Sequence, residues 1–221
     1  MKIIDAVLDS LYPKRCASCR QITKDGNVLC PECADKLERV KTPVCIACGN
    51  HIKDCECDTF IYHFDGMVAP FLNKGVAKDM VYTFKFDKDF SYVDFIVENM
   101  ANSLLKTYKD INFDFLTFVP KMKKDYNQCK PLAKRLSRRL NIPVKRKILV
   151  KVKENKTQHK LSLNERFSNV KDAYCTTEKI KGQTVLLLDD IKTTGATLNE
   201  CSKQLKFAGA EKVYCVTALI R

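Results

Sequence analysis

The chain has 221 residues, 45% of them hydrophobic and 29% charged, with a formal net charge of +13. These are ordinary proportions for a soluble protein, with material for one well-buried core or for one core and a small module. No apolar run approaches the roughly 18 residues that a bilayer span needs, and the start of the chain shows no secretory h-region, so neither a membrane span nor export is expected. The charge is concentrated. Residues 1–58 hold nine basic and nine acidic side chains, residues 59–120 six and eight, and residues 161–221 nine and seven, whereas residues 121–160 hold fifteen basic residues against Asp125 and Glu154. A field placed in this way attracts polyanions, and a merely solvated basic surface is the equally weighted alternative.

Met1 to Leu11 carries Ile3, Ile4, Val7, Leu8 and Leu11 at helical spacing, which predicts a helix packing on the body or docking a partner. Eight of the twelve cysteines follow between Cys16 and Cys57, as Cys16-x2-Cys19, Cys30-x2-Cys33, Cys45-x2-Cys48 and Cys55-x-Cys57. Each CxxC turn offers two thiolates to a tetrahedral ion, so this spacing predicts zinc. A disulfide framework is not expected without a secretion signal. Eight thiolates hold two zinc ions. The simplest pairing is sequential, with Cys16, Cys19, Cys30 and Cys33 on one ion and Cys45, Cys48, Cys55 and Cys57 on the other; an interleaved pairing stays open, and His51 is a spare ligand. Four-sulfur sites are closed and structural, and the metal supplies folding energy that so short a segment lacks. Residues 1–58 are therefore expected to form a zinc-binding module that unfolds without its metal and leaves the rest, 59–221, largely folded.

Phe60 to Leu72 alternates in places as an early strand or hairpin does. Lys74 to Met100 reads as helix, broken around Phe86-Asp87-Lys88, and Phe115 to Val119 as a strand ended by Pro120. After a polar loop from Lys121 to Asn127, Leu132, Leu136 and Leu140 recur every four residues, with Lys134, Arg135, Arg138 and Arg139 on the opposite face of that helix. Ile148 to Val152 is a further strand. Lys153 to Asn169 is polar and without clear period, which predicts a long loop. Val185 to Leu188 is a short buried strand, Gly209 a helix C-cap, and Val213 to Leu219 the last strand. Strands alternating with helices predict a parallel α/β sheet. Cys129, Cys175, Cys201 and Cys215 read as buried small hydrophobes.

The thirteen residues VLLLDDIKTTGAT, Val185 to Thr197, carry the most chemistry. A hydroxyl-rich turn containing glycine between a strand and a helix start is a phosphate cradle, because backbone N–H groups, the helix dipole and threonine hydroxyls all favour an anion. Asp189 and Asp190 lie just upstream and suit the 2′ and 3′ hydroxyls of a ribose. Phosphate and ribose read by one short loop mean a ribose 5-phosphate group. A Walker phosphate loop is excluded, since no Lys follows the glycine in the required place.

This stretch resembles the phosphoribosyl-pyrophosphate (PRPP) motif of type I phosphoribosyltransferases. Further stretches, LYPKRC (Leu11 to Cys16), FKF (Phe84 to Phe86), DYNQCKPLAKRL (Asp125 to Leu136) and TQHKLSLNERFSNV (Thr157 to Val170), resemble the ComF/ComFC competence family in that family's order along nearly the whole chain. The resemblance implies a double zinc module followed by a type I phosphoribosyltransferase-like domain, a parallel sheet with flanking helices. It also implies a role in natural transformation, handling incoming single-stranded DNA. Where the family carries Arg-Gly before the aromatic-Asn-Gln stretch, this chain has Lys124-Asp125, and the segment after Val119-Pro120 is short and lacks a His.

On that resemblance Thr193, Thr194, Gly195, Ala196 and Thr197 hold the 5-phosphate, and Asp189 and Asp190 orient the ribose hydroxyls. Lys121, Lys123 or Lys124 meets the pyrophosphate. Arg166, on a loop able to close over the site, is a second pyrophosphate contact and joins the acid pair as a candidate catalytic residue, its alternative being a surface ion pair with Glu165 or a neighbour. Mg²⁺ accompanies PRPP. Lys134, Arg135, Arg138 and Arg139 form the candidate face for single-stranded DNA. The implied location is the cytoplasm, or the periphery of the inner membrane through a competence helicase or DNA channel as partner. The alternatives are an active phosphoribosyltransferase that uses an unknown acceptor and a zinc-ribbon docking module whose α/β part merely carries it.

Overall fold

The computed structural model describes residues 13–23, 26–55, 57, 61–84, 92–122, 126–154 and 163–221. The expected helix over Met1–Leu11 and the break around residues 86–88 lie outside these. Among the described residues the cysteine-rich segment holds one short helix, α1 (Pro31–Asp35), and a 3-10 turn at Ile52–Asp54.

A parallel sheet forms the centre of the molecule. Its strands are β1 (Gly66–Val68), β3 (Phe115–Phe118), β6 (Thr184–Lys192) and β7 (Lys212–Ile220), in the order β1-β7-β6-β3, with β2 (Phe71–Leu72) continuing β1 along β7. β6 pairs with β7 from Thr184–Lys212 to Lys192–Ile220, and β3 pairs with β6 from Phe115–Val185 to Phe118–Leu188. A central strand is covered on both faces and reads as a continuous apolar run, which is why Val185–Leu188 was legible. The strand runs four residues past Leu188, through both acids to Lys192.

Side chains alternate between the two faces of the sheet. Leu116, Phe118, Leu186, Leu188, Val216 and Ala218 fill one core with helices α2 (Gly75–Tyr82), α3 (Val93–Thr107) and α4 (Cys129–Leu140). Phe115, Val185, Leu187, Val213 and Cys215 fill the other with α6 (Ala196–Phe207) and the antiparallel pair β4 (Leu149–Lys151) and β5 (Tyr174–Thr176). In α4 the stripe places Leu132 and Leu136 fully inside, each contributing about 1.5–3 kcal/mol of burial. Asn141, in the left-handed region at φ 55°, ends that helix.

Two elements depart from the sequence expectation. The supposed loop before Asn169 contains helix α5 (Leu163–Val170), whose Phe167 and Val170 pack on the second core. Its eight residues make only about two turns of periodicity, and polar neighbours hide it. β5 is three residues with one buried side chain, too short to show a period.

The cysteine module is built onto the sheet's β1–β2 edge, which would otherwise expose unpaired backbone groups. The N–H of Met67 donates to Ile46 O at 3.1 Å, that of Val40 to Pro70 O at 3.0 Å and that of Leu72 to Glu38 O at 2.9 Å. Cys16, Ala17, Leu29, Cys30 and Cys33 belong to the same buried cluster as α2 and α3. The sheet and the metal module thus share a core.

Candidate functional site

The sulfur atoms settle into two groups of four. Cys16, Cys19, Cys30 and Cys33 form one and Cys45, Cys48, Cys55 and Cys57 the other, with all ligand atoms of a group within 4.8 Å of one another. Cys19–Cys30 and Cys45–Cys57 Sγ distances are 3.7 Å and Cys48–Cys55 is 3.8 Å. A tetrahedral ion with Zn–S bonds of about 2.3 Å sets sulfur–sulfur edges at about 3.8 Å, so the cysteines fit zinc. Burial raises the Cys16 thiol, but backbone N–H groups at Cys30, Ser18 and Cys19 outweigh it and bring it to about 6. Such N–H···S bonds favour the thiolate. The pairing is the sequential one. His51 stays outside: its Nδ1 accepts from the Lys53 N–H at 3.2 Å.

The second site lies at the carboxyl end of β6, where ligands bind in parallel sheets. Gly195 sits at φ 80°, and a Cβ there would come within 3.1 Å of the Tyr62 ring and 3.2 Å of Lys192 Cε. The positive φ is what favours glycine, and a side chain there would also crowd Tyr62 and Lys192. It turns the chain from β6 into α6, and Asn199 N–H closes the first helical turn on Gly195 O at 2.8 Å. Thr193 is exposed and Thr194 half-buried, with the Thr194 hydroxyl accepting the Ala196 N–H at 3.4 Å. The Tyr62 hydroxyl donates to Thr194 O at 3.4 Å, and Asn199 Oδ1 accepts the His63 N–H at 2.7 Å, so the segment after the cysteines braces the loop.

Asp189 and Asp190 are 6% and 4% exposed. Asp190 Oδ1 accepts the Ile191 N–H at 2.9 Å and Asp189 Oδ1 the Asp190 N–H at 2.9 Å. Burial, with like-charge repulsion from Asp190, pushes the Asp189 carboxyl up to about 7, against the pull of Lys121. Two acids held this way are costly unless a ligand uses them.

A cleft of about 580 Å³ joins these pieces; Asp189, Asp190 and all of Thr193–Thr197 line it. Lys121 and Arg166 line it too, from the loop after β3 and from α5. Lys123 and Lys124 lie outside the described residues. Lys134, Arg135, Arg138 and Arg139 are elsewhere, on the outer face of α4 against α3, where Arg135 pairs with Asp94 at 2.7 Å and Arg139 with Glu98 at 2.7 Å.

Several residues in the cleft or buried behind it carried no site role from sequence. Gln128 Nε2 donates to Asp190 Oδ2 at 2.9 Å, and Cys129 donates to Asp189 Oδ1 at 3.5 Å. Burial and then the two carboxylates raise that thiol well above the usual range, so it acts as a neutral donor. Asn127 donates to Val119 O at 3.0 Å and accepts the Cys129 N–H at 2.9 Å, holding the strand end to the helix start. The aromatic-Asn-Gln stretch thus has a physical role, which its family resemblance had marked without explaining. Lys78, Lys151, Lys192 and Arg221 add positive charge, and Asn73 presents a buried Oδ1 that no donor among the described residues reaches. These come from separate segments, and only the fold brings them together.

The arrangement is a cation-lined cleft with a threonine-rich glycine turn at a helix start and a buried carboxylate pair beside it. A double zinc ribbon domain matches residues 7–60, and a phosphoribosyl transferase domain matches residues 126–221. Competence protein F of Haemophilus influenzae is 29% identical over 222 residues, covering 90% of this chain and 93% of that protein. Competence protein ComFC of Streptococcus pneumoniae is 25% identical over 199 residues, covering 87% of each. The chain is thus similar to the ComF/ComFC competence proteins over most of its length and carries their pairing of a double zinc ribbon with a phosphoribosyl transferase domain. DNA utilization protein YhgH of Escherichia coli is also similar, 22% identical over 211 residues and covering 91% of this chain and 88% of that protein. The parallel sheet and the two four-cysteine clusters agree with this two-part organisation. No helix among the described residues is long and apolar enough to cross a membrane.

Proposed function

We propose that the cleft binds the ribose 5-phosphate group of PRPP and that the chain serves natural transformation by handling incoming single-stranded DNA. The observation that carries the reading is the junction at the end of β6, where the buried acid pair and the Thr193–Thr197 cradle line one cation-rich cleft. The competence names of the relatives support the cellular role. In this reading the backbone N–H groups and hydroxyls of Thr193–Thr197 hold the 5-phosphate. Asp189 and Asp190 accept from the ribose hydroxyls, and Lys121 and Arg166 face the pyrophosphate. Mg²⁺ held by pyrophosphate oxygens and water neutralises part of that charge. The protein acts in the cytoplasm, or at the inner membrane through a helicase or channel partner.

Calorimetry with PRPP, with and without Mg²⁺, tests the site. Saturable binding that is lost in an Asp189→Asn/Asp190→Asn variant is expected. Unchanged affinity in that variant, or no binding at all, overturns the reading.

A second reading is transfer of the phosphoribosyl group to an acceptor. The acid pair and the Lys121–Arg166 side of the cleft favour it, because loss of pyrophosphate from C1 needs charge screening and positioning more than covalent chemistry. Release of pyrophosphate from PRPP in the presence of bases or amines tests it.

A further inference from the structure

A second cavity, about 990 Å³, opens beside the phosphate loop and has the second zinc knuckle as its far wall. Cys48, Asn50 and His51 line one side and Thr193 and Thr194 the other. Thr193, Thr194, Lys192, Arg166 and Arg221 line both cavities, so the loop stands between them and the two are continuous. The groove is strongly basic. Lys41, Lys53, Lys74, Arg166, Lys192 and Arg221 line it against Asp54, its one acid among the described residues. In that reading PRPP occupies the first cleft, and Lys41, Lys53 and Lys74, which line only the groove, lie beyond it.

We infer that the groove and cleft together take the 3′ end of a single-stranded nucleic acid, its terminal nucleotide in the cleft and the preceding strand in the groove. The inference rests on the reading of the cleft as a ribose 5-phosphate site. A 3′-terminal nucleotide is a pentose with a phosphate on its 5′ oxygen and a free 3′ hydroxyl, the two groups that the loop and the acid pair recognise. Its phosphate differs in being a diester, so the chain must leave beside the phosphate. Thr193 and Thr194 form that side of the cleft, and the basic groove lies directly behind them. A 5′ end fits badly. Its chain continues from the 3′ oxygen, which would set a further phosphate against the buried Asp189–Asp190 pair, and like charges at such a place repel. The strand's polarity is therefore set by where the acids and the groove stand relative to the loop.

The test uses the full zinc-loaded chain and a short oligothymidylate, with binding read by fluorescence anisotropy. An oligonucleotide ending in a 3′ hydroxyl should bind about tenfold or more tightly than the same strand with a 3′ phosphate, because the terminal phosphate loses a charge-assisted bond and meets the carboxylates. Phosphorylating the 5′ end should change nothing comparable, and an RNA 3′ end, with two hydroxyls for two acids, should bind at least as well. PRPP should displace the 3′-hydroxyl strand. A Lys41→Gln/Lys53→Gln/Lys74→Gln variant, three exposed positions, should lose strand affinity and keep PRPP affinity. Equal binding of the 3′-hydroxyl and 3′-phosphate strands, with PRPP still bound, overturns this inference and leaves the ribose 5-phosphate site standing. Failure to bind PRPP overturns both.

Discussion

The side-chain amide of Gln128 holds Oδ2 of Asp190 at 2.9 Å, tying the first residue before α4 to the acid pair at the end of β6. Asp190 Oδ1 is meanwhile occupied by the Ile191 N–H at 2.9 Å. The carboxylate is thus oriented before any ligand arrives, and preorganisation of this kind removes an ordering cost from binding. Gln128→Ala removes a hydrogen bond to a charged group, on the order of 1.5–3 kcal/mol. PRPP affinity should fall by about tenfold or more by calorimetry, while the circular dichroism spectrum stays that of the parent. Unaltered affinity would show that Asp190 needs no support.

The acid pair sets stability against binding. The Asp189 carboxyl titrates near 7 in the folded chain because burial and Asp190 disfavour its charge, whereas its ordinary value is 3.8. Between those values the folded state takes up the proton more readily than the unfolded one. Its contribution to stability therefore grows as pH falls through about 7 and is lost as pH rises through it. Ligand binding runs the other way, since a ribose hydroxyl needs the carboxylate as acceptor. The ligand-free protein should gain thermal stability from pH 8 to pH 6 through this group, and PRPP affinity should weaken over the same range. Asp189→Asn should raise the unfolding midpoint at pH 8 by several degrees, at about 2–4 °C per kcal/mol, and abolish the binding trend. A destabilised Asp189→Asn protein would contradict the penalty assigned to the pair.

Legibility in the sequence followed how local each signal was. The CxxC spacing is a local chemical code, and the structure gathers those eight sulfurs as the spacing predicted. The Val185–Thr197 run was legible for the same reason: strand, acids, glycine turn and helix start are contiguous. Gln128, Lys151, Lys192 and Arg221 were not, because a polar residue on a loop or strand end looks alike whether it faces water or a cleft. Helix α5 was hidden by its brevity. The attachment of the cysteine module to the β1–β2 edge rests on backbone bonds such as Met67 N–H to Ile46 O, which no side-chain pattern announces.

That attachment changes what zinc removal should do. The sequence suggested a module that unfolds by itself, but Cys16, Cys30 and Cys33 share a buried cluster with Met80, Val93 and Met100. The Tyr108 hydroxyl, on the α3 side, also donates to Ile46 O at 2.7 Å inside the second knuckle. Chelation, or Cys30→Ser, should therefore lower the unfolding midpoint of the whole chain in one cooperative transition, because the metal's binding energy is folding energy for the shared core. Calorimetric scans check this. Two separate transitions, with the upper one unmoved by chelator, would restore the picture of an independent module.

The basic face of α4 makes the last case, and ion pairing decides it. Arg135 and Arg139 are held by Asp94 and Glu98, the latter through two bonds of 2.7 and 3.0 Å. Among the described residues no acid pairs with Lys134 or Arg138. Exposed pairs contribute little to stability, about 0–1 kcal/mol, yet an arginine already neutralised by a carboxylate adds less positive charge at a phosphate and so releases fewer of the nucleic acid's condensed counterions. If single-stranded DNA also runs over this face, only Lys134 and Arg138 act as phosphate contacts. Each contact contributes about 0.7 to the log–log salt slope. Lys134→Gln/Arg138→Gln should lower that slope by about 1.4, and adding Arg135→Gln and Arg139→Gln should lower it no further. A drop of about 2.8 in the fourfold variant would mean that DNA opens both ion pairs. No change in either would make the face a solvated surface and leave the groove beside the phosphate loop to carry the strand.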